Sequence, residues 1–240
     1  FNGLNLMFDT REGILKHCSL RNARNMGALG ARFINRTQPS LEAQLTNIAD
    51  EIAYNNHDVD DGLRSGLITL SQLTQVELFA THYNAVEKKY PRLSNKRKAQ
   101  AAIRNIIDQS VTDLIDNTKA NIIDDGITTL EQVRSNSRPL VSFSSGIKQK
   151  MAELKSFLHS NLYQHKQVNV MSENAKKTIT VLFESYFEQP CLLPEEHQRK
   201  ANMKRDRLGE DGFARVISDY IAGMTDRYAE ACLLYTSDAA

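Results

Sequence analysis

Three side chains that can bind cations or hydroxyl groups recur every four residues near position 50: Asp50, Tyr54 and Asp58. On an α-helix, a step of four residues advances about 40° around the axis and about 6 Å along it. The three side chains would therefore form one ridge, with a carboxylate, a phenol and a second carboxylate one turn apart. Asp50 could bind a divalent metal ion, and Tyr54 and Asp58 could bind a sugar or a phosphate group.

The element that must carry this ridge is a helix with an apolar face on its other side. Pro39 and Ser40 stand just ahead of it, as is typical of a helix start. Its apolar residues recur with the spacing of one helix face. They are Leu41, Leu45, Ile48, Ala49, Ile52 and Ala53. The spacing predicts a helix with the acidic ridge opposite its buried face.

Other interpretations of the same residues remain open. An ordinary solvated helix face has the same pattern and is the more common case. The His57-Asp58 dipeptide resembles a metal-binding His-Asp pair, but we reject that assignment because it lacks the upstream His and the distant downstream Asp that such a site uses. His57 and Asp61, four residues apart, could hold a metal only with further ligands.

The rest of the chain also shows helical periodicity, and we predict an all-α fold. With only 11 Gly and 5 Pro and no Trp, the composition argues against a turn-rich β protein. Val141–Phe143 is the one stretch for which we expect a short extended segment. Thr69 with Gln72, and Thr128 with Glu131, predict capping boxes of two short helices. The remaining apolar helix faces lie in residues 99–115, 151–162, 175–186 and 213–224.

Charge and cysteine content restrict the function classes. With 30 Lys and Arg against 29 Asp and Glu, the net charge is +1, so any binding of nucleic acid needs a local patch. Two basic clusters, in residues 88–98 and 199–207, could bind phosphate or single-stranded nucleic acid, although a solvated face is the commoner role of such clusters. Three dispersed cysteines favour a reducing, cytoplasmic location. No apolar run is long enough to cross a membrane.

Several segments together resemble the deoxynucleoside triphosphate triphosphohydrolases of the His-Asp superfamily. In the first half these are Gly3–Leu6, Glu12–His17, Gln38–Leu45 and Ala49–Tyr54. In the second half they are Arg138–Val141, Lys155–Leu158 and Asp219–Ala229, which resemble the phosphohydrolase-associated region of that family. The resemblance covers about residues 1–229 and is closest to the bacterial deoxyguanosinetriphosphate triphosphohydrolase-like proteins.

The resemblance implies a helical enzyme that hydrolyses a deoxynucleoside triphosphate to a deoxynucleoside and inorganic triphosphate. A divalent metal (Mg, Mn, Fe or Zn) would activate the water, and Asp50 matches its final aspartate ligand. Tyr54 would pack on the sugar, and Asp58 would accept from the 3′-hydroxyl. Lys16 lies where the family offers a cation to the phosphates, and Asn5 is a further pocket candidate. Family members suggest a homo-oligomer.

The family's upstream His and His-Asp ligands and its catalytic His are missing from this sequence. Because the chain begins at Phe1 rather than Met, we expect these residues to precede it, and we expect the chain alone to be inactive. The resemblance predicts part of the His-Asp domain in residues 1–90 and the associated region in residues 91–232. Residues 233–240 are expected to be a non-native tail. The alternative is a non-catalytic helical module that binds nucleotides or nucleic acid.

Overall fold

The computed structural model describes residues 3–15 and 18–237 of the chain. Within these residues it contains helices and connecting segments but no β-strand, which confirms the all-α prediction. The chain divides into two compact units, residues 1–163 and 164–240. No helix in the described ranges is both long enough and apolar enough to cross a membrane.

The first unit is built around four longer helices that pack side by side. Its helices are α1 (Phe8–Ile14), α2 (Leu20–Ala23), α3 (Ala28–Asn35), α4 (Leu41–Ser65), α5 (Leu70–Leu73), α6 (Glu77–Lys89), α7 (Asn95–Asp124), α8 (Leu130–Ser135) and α9 (Ser145–Leu158), followed by a π-helical turn at His159–Tyr163. Helices α4, α6, α7 and α9 enclose one hydrophobic core. Phe79 of α6, which is fully buried, stacks on Tyr83 at a centroid distance of 5.7 Å.

Helix α4 has a capping residue at each end, Ser40 before its first turn and Gly66 after its last. The Ser40 hydroxyl accepts a hydrogen bond from the Ala43 N–H, which satisfies one of the free donors of the first turn. The helix ends at Gly66, whose positive φ of 75° is readily adopted by glycine. The buried face differs in part from the predicted one: Ile52 is buried and Leu41 and Ile48 pack partly buried against the core, whereas Leu45, Ala49 and Ala53 are exposed. Val59, further along the helix, is also buried in this core.

A buried glutamine joins α4 to the segment that follows α8. The Gln44 side-chain oxygen accepts the N–H groups of Leu140 and Val141 at 2.8 and 3.1 Å. Its amide nitrogen donates to the Pro39 carbonyl at 3.0 Å. Residues 141–143, for which a short extended segment was predicted, lie in neither a helix nor a strand, and side chains rather than a second extended chain bind this stretch: Gln44 binds Leu140 and Val141, and Asn117 donates to the Ser142 carbonyl at 2.7 Å.

Two short helices begin with a capping box. The box of Thr69 and Gln72 is as predicted. The second is formed by Thr129 and Gln132 rather than by Thr128 and Glu131, one position later than expected. The reason is that the Gln132 side-chain oxygen accepts from the N–H groups of both Thr128 and Thr129, at 2.7 and 3.0 Å. A Glu at position 131 therefore does not decide the helix start.

The second unit packs its helices around a separate core. It consists of α10 (Lys166–Glu188), a 3₁₀ turn at Pro190–Leu192, α11 (Glu195–Leu208), α12 (Glu210–Ala222) and α13 (Asp226–Ser237). Its buried residues include Leu182, Phe213 and Ile217. Helix α13 continues past Leu233, which packs against this core, so the helix does not end where the sequence periodicity ends. The origin of residues 233–240 stays a prediction.

The division of the chain by family resemblance at residue 90 also stays a prediction. It differs from the division by compactness, since α6 and α7 on its two sides pack against each other within the first unit.

A buried carboxylate on α1 links this helix to α3 and α8. The Glu12 side chain is only 1% exposed and accepts two hydrogen bonds from Arg134, at 2.9 and 3.0 Å. Arg32 Nε lies 3.3 Å from the same carboxylate. Arg134 also donates to Asp9 at 3.0 Å, but Asp9 is half exposed. Glu12 therefore neutralises two guanidinium groups in a place that water hardly reaches.

We expect Glu12→Gln to destabilise the fold by about 3 kcal/mol, because it leaves the two guanidinium groups without the buried carboxylate. Asp9→Asn is the matched control on the same Arg134 and should cost less than about 1 kcal/mol, since that pair is solvated. Urea unfolding followed by circular dichroism measures both changes. Equal effects of the two substitutions would contradict the special role of Glu12.

Candidate functional site

Helix α4 places the ridge of Asp50, Tyr54 and Asp58 on the side away from its buried residues. All three lie within the one continuous helix Leu41–Ser65. Asp50 is exposed, Tyr54 is 63% exposed and Asp58 is half-buried. The tyrosine ring is thus available to a ligand. The ridge spans two helical turns, or about 12 Å.

The structure adds a residue to this ridge that sequence reasoning missed. The Tyr163 hydroxyl donates a hydrogen bond to Asp58 Oδ2. The two residues are 105 positions apart in the chain, so no local pattern could connect them. The nearest signal was the family-like segment Lys155–Leu158, which ends five residues before Tyr163.

Tyr163 is held as a proton donor by its surroundings. Partial burial of the ring raises the pKa of Tyr163, and the hydrogen bond to Asp58 and the negative charge of that carboxylate raise it further. Tyr54 contributes in the same direction. The phenol therefore stays protonated at neutral pH and continues to donate. An ionised carboxylate has about four acceptor positions, so Asp58 can still accept from a ligand hydroxyl.

A π-helical turn places Tyr163 beside α4. Helix α9 ends at Leu158, and the wider turn His159–Tyr163 follows it without a break. Within this turn Leu162 is buried in the core, while Tyr163 reaches Asp58. The His159 ring contacts Tyr163 edge to face at 6.3 Å. Such turns are uncommon and often lie at functional sites.

Asn5, His57 and Asp61 are the other predicted residues that the structure describes. Asn5 is exposed in the non-helical stretch before α1. Lys16 lies outside the described residues. His57 lines a different cavity, of about 360 Å³, between α4 and α7, together with Asn56 and Arg104. Asp61 is exposed on the last turns of α4. The roles assigned to Asn5 and Lys16 stay predictions.

The described residues do not form a metal site by themselves. Over residues 3–15 and 18–237, no group of three or more His, Cys, Asp or Glu side chains is placed to hold a metal ion. His57 and Asp61 accordingly gain no third ligand there. A stable metal site needs about three protein ligands, so Asp50 would contribute to one only together with ligands from outside these residues.

Comparison with known proteins identifies the class of this molecule. Residues 141–233 match the family model of the phosphohydrolase-associated domain, a stretch that includes the second unit up to Leu233. The chain is therefore an all-α protein with a phosphohydrolase-associated domain. It belongs to the family of the deoxyguanosinetriphosphate triphosphohydrolase-like proteins, as its similarity to their curated members shows.

Three of these relatives illustrate the extent of the similarity. Over 229 residues, the chain is 52% identical to the deoxyguanosinetriphosphate triphosphohydrolase-like protein of Azoarcus sp. (strain BH72). It is 51% identical to that of Bordetella pertussis and 49% identical to that of Thiobacillus denitrificans. Each match covers 95% of this chain but only 57 to 58% of the relative. The chain thus spans little more than half the length of the proteins it resembles.

The contact between Tyr163 and Asp58 predicts how the phenol titrates. We expect Asp58→Asn to lower the pKa of Tyr163 towards its ordinary value of 10.0, because the substitution removes the negative charge and leaves only burial and a neutral acceptor. Since folding raises this pKa, the contact stabilises the fold below the ordinary tyrosine pKa, and this stabilisation is lost as the pH rises through the raised value.

A pH titration of ¹³Cζ-labelled tyrosine by NMR measures this shift. Tyr220 of the second unit is the internal control, because burial and a hydrogen bond to Tyr228 raise its pKa independently of Asp58. An unchanged Tyr163 titration in Asp58→Asn would show that the two side chains do not interact in solution.

Proposed function

We propose that this chain supplies the sugar-binding part of an active site that hydrolyses deoxynucleoside triphosphates to deoxynucleosides and inorganic triphosphate. The observation that carries the proposal is the ridge on α4, where an exposed tyrosine ring precedes a carboxylate held by Tyr163. The printed names of the relatives support the substrate class. Because the chain covers only part of those relatives, the proposal concerns the longer protein in which it lies.

The ridge supports recognition of a deoxyribose ring. The flat, exposed ring of Tyr54 would pack against the 2′ carbon and leave no room for a hydroxyl group there. Asp58, one turn further on, would accept from the 3′-hydroxyl. Tyr163 supports this role because it fixes the carboxylate from one side and leaves further acceptor positions free.

The hydrolytic step would require a divalent metal ion that activates water. Asp50 would offer it one carboxylate, and the other ligands would have to come from residues beyond those described. The work of this chain's own side chains is therefore to orient the nucleoside. The oligomer and the cytoplasmic location stay predictions, which rest on the resemblance and on the cysteine content.

The alternative of a non-catalytic binding module receives little support from the first basic cluster. Lys98, one of its members, is only 6% exposed and pairs with Glu87 at 3.1 Å. This pairing lowers the positive charge that the cluster of residues 88–98 offers to a phosphate chain.

We expect Asp50→Ala in the longer protein to lower kcat by orders of magnitude and to reduce the bound metal. Asp61→Ala, which removes another exposed carboxylate of α4, should leave both values unchanged. Triphosphate release from mixed deoxynucleoside triphosphates with Mg²⁺ or Mn²⁺ measures activity, and the 240-residue chain alone should release none. Normal turnover and metal content in Asp50→Ala would show that Asp50 is an ordinary solvated carboxylate and not a metal ligand.

The sugar-binding residues should separate substrates that differ by one hydroxyl group. Tyr54→Ala in the longer protein should relax the discrimination between dGTP and GTP. Asp58→Asn should lower kcat/KM for dGTP by about tenfold or more, since a hydrogen bond to a charged acceptor contributes about 1.5–3 kcal/mol. It should also remove the preference for dGTP over dideoxy-GTP, which lacks the 3′-hydroxyl.

The measurement is kcat/KM for dGTP, GTP and dideoxy-GTP in the wild type and both variants. Glu51→Gln is a suitable control, because Glu51 lies on α4 but points to Lys155 at 3.8 Å. A parallel fall for all three substrates would show that the ridge does not recognise the sugar.

A further inference from the structure

Helices α4 and α7 of the first unit pack side by side and leave an apolar face uncovered. Leu45 of α4 is 49% exposed, and Val111 and Ile115 of α7 are 41% and 46% exposed. Ala49 and Ala53, the next positions of α4 at intervals of four residues, are exposed as well. Residues four apart lie along one line of a helix, so each helix carries an apolar line. A contiguous apolar face on the surface is typical of a site that binds another protein.

The two helices are antiparallel, as the cavities between them show. One cavity, of about 340 Å³, is lined by Leu45 and Ile115. Another, of about 360 Å³, is lined by Asp60 and Gln100. Residue numbers therefore rise along α4 in the direction in which they fall along α7. Each level of the face thus has one residue from either helix.

The two helices differ in the size of the side chains that they bring to the face. In the antiparallel arrangement, Ala49 and Ala53 of α4 lie level with Val111 and Ile107 of α7. A second copy, turned by 180° about an axis along the helices, would set its α7 over the first copy's α4. The larger side chains of each copy would then lie over the small ones of the other, which is how facing helices interdigitate.

The charges at the apolar end of the face are complementary under the same rotation. Glu42 of α4 and Lys119 of α7 line the cavity that Leu45 also lines. Both side chains are exposed, and neither forms an ion pair within the described part of the chain. The rotation would bring Glu42 of each copy to Lys119 of the other. Two ion pairs would then form across the interface, and no like charges would meet at this end.

The face is large enough for a stable contact. Between Glu42 and Asp60 it is about 27 Å long, since each residue of a helix adds about 1.5 Å. Two helices of about 10 Å width give about 540 Å² on each copy, or about 1,100 Å² for a pair of copies. A specific protein interface needs about 1,000 Å² or more in total.

We propose that the chain pairs with a second copy of itself through this face. The interface is a four-helix bundle in which α4 of each copy packs on α7 of the other, and the contact is the same on both sides of the two-fold axis. The family resemblance suggests a homo-oligomer but assigns no surface to it. The proposal does not rest on the proposed hydrolysis, because Asp50, Tyr54 and Asp58 lie on another side of α4 and stay outside the interface.

The first test is the molar mass of the full chain, measured by sedimentation velocity over a series of micromolar concentrations. The wild type should form a dimer. Val111→Glu/Ile115→Glu should raise the dissociation constant by about tenfold or more, because it places unpaired charges in an apolar interface. The matched control is Val170→Glu/Met171→Glu, which makes the same change at exposed apolar positions of α10. It should change the dissociation constant less than about twofold.

The second test shows which helices meet. Glu42→Lys and Lys119→Glu should each weaken self-association, because like charges then face each other twice across the interface. When the two variants are mixed in equal amounts, every such contact joins opposite charges again. Native mass spectrometry should therefore find clearly more mixed dimers than the about one half that random pairing gives. Circular dichroism verifies that every variant folds.

Three outcomes would overturn the proposal. A monomeric wild type would assign the face to a different protein or to a further segment of the longer protein. A dimer that survives Val111→Glu/Ile115→Glu, or that the α10 control disrupts equally, would place the contact on another surface. Random pairing in the mixture would show that α4 does not meet α7 of the second copy.

Discussion

The buried face of α4 is the constraint on which the candidate site depends. Ile52 and Val59 must lie in the core against α7 and α9, because leaving such side chains in water would cost about 1.5–3 kcal/mol each. Once that face is inside, a rigid helix leaves no freedom to the opposite face. Asp50, Tyr54 and Asp58 are then held on one exposed line. The core therefore positions side chains that contribute little to it.

Contacts between distant parts of the chain complete what the helix begins. The π-helical turn after α9 keeps Leu162 buried and at the same time brings Tyr163 to Asp58. Glu12 likewise joins α1 to Arg134, more than a hundred residues away. In both cases a polar pair joins elements that the hydrophobic core alone would not orient. A carboxylate fixed in this way can recognise a hydroxyl group with less loss of side-chain freedom than a mobile one.

The second unit shows how a very polar helix can pack. Helix α11 buries only Ala201 completely, so it needs a close neighbour to gain any core at all. Gly212 allows α12 to approach, and Arg205 lies over the Phe213 ring at 3.6 Å. The remaining cations of α11 are left along a groove rather than scattered over a convex surface. Close packing of the helices thus concentrates positive charge beside aromatic rings.

The sequence by itself determined the helical class, the residue at which α4 begins and the common face of Asp50, Tyr54 and Asp58. These follow from periodicity and from capping residues such as Ser40, which act within a few positions of one another. Its resemblance to the triphosphohydrolases agrees with the relatives found by comparison.

Only the tertiary structure decided that Tyr163 binds Asp58, that Glu12 is buried between two arginines and that Tyr220 lies beside the basic face of α11. It also shifted one capping box by a residue and placed the N–H groups of Leu140 and Val141 on the Gln44 side chain. Each of these contacts either joins groups that are remote in sequence or selects one of several local partners that are nearly equivalent. Local pattern carries no information on such pairings, because they depend on how the helices pack.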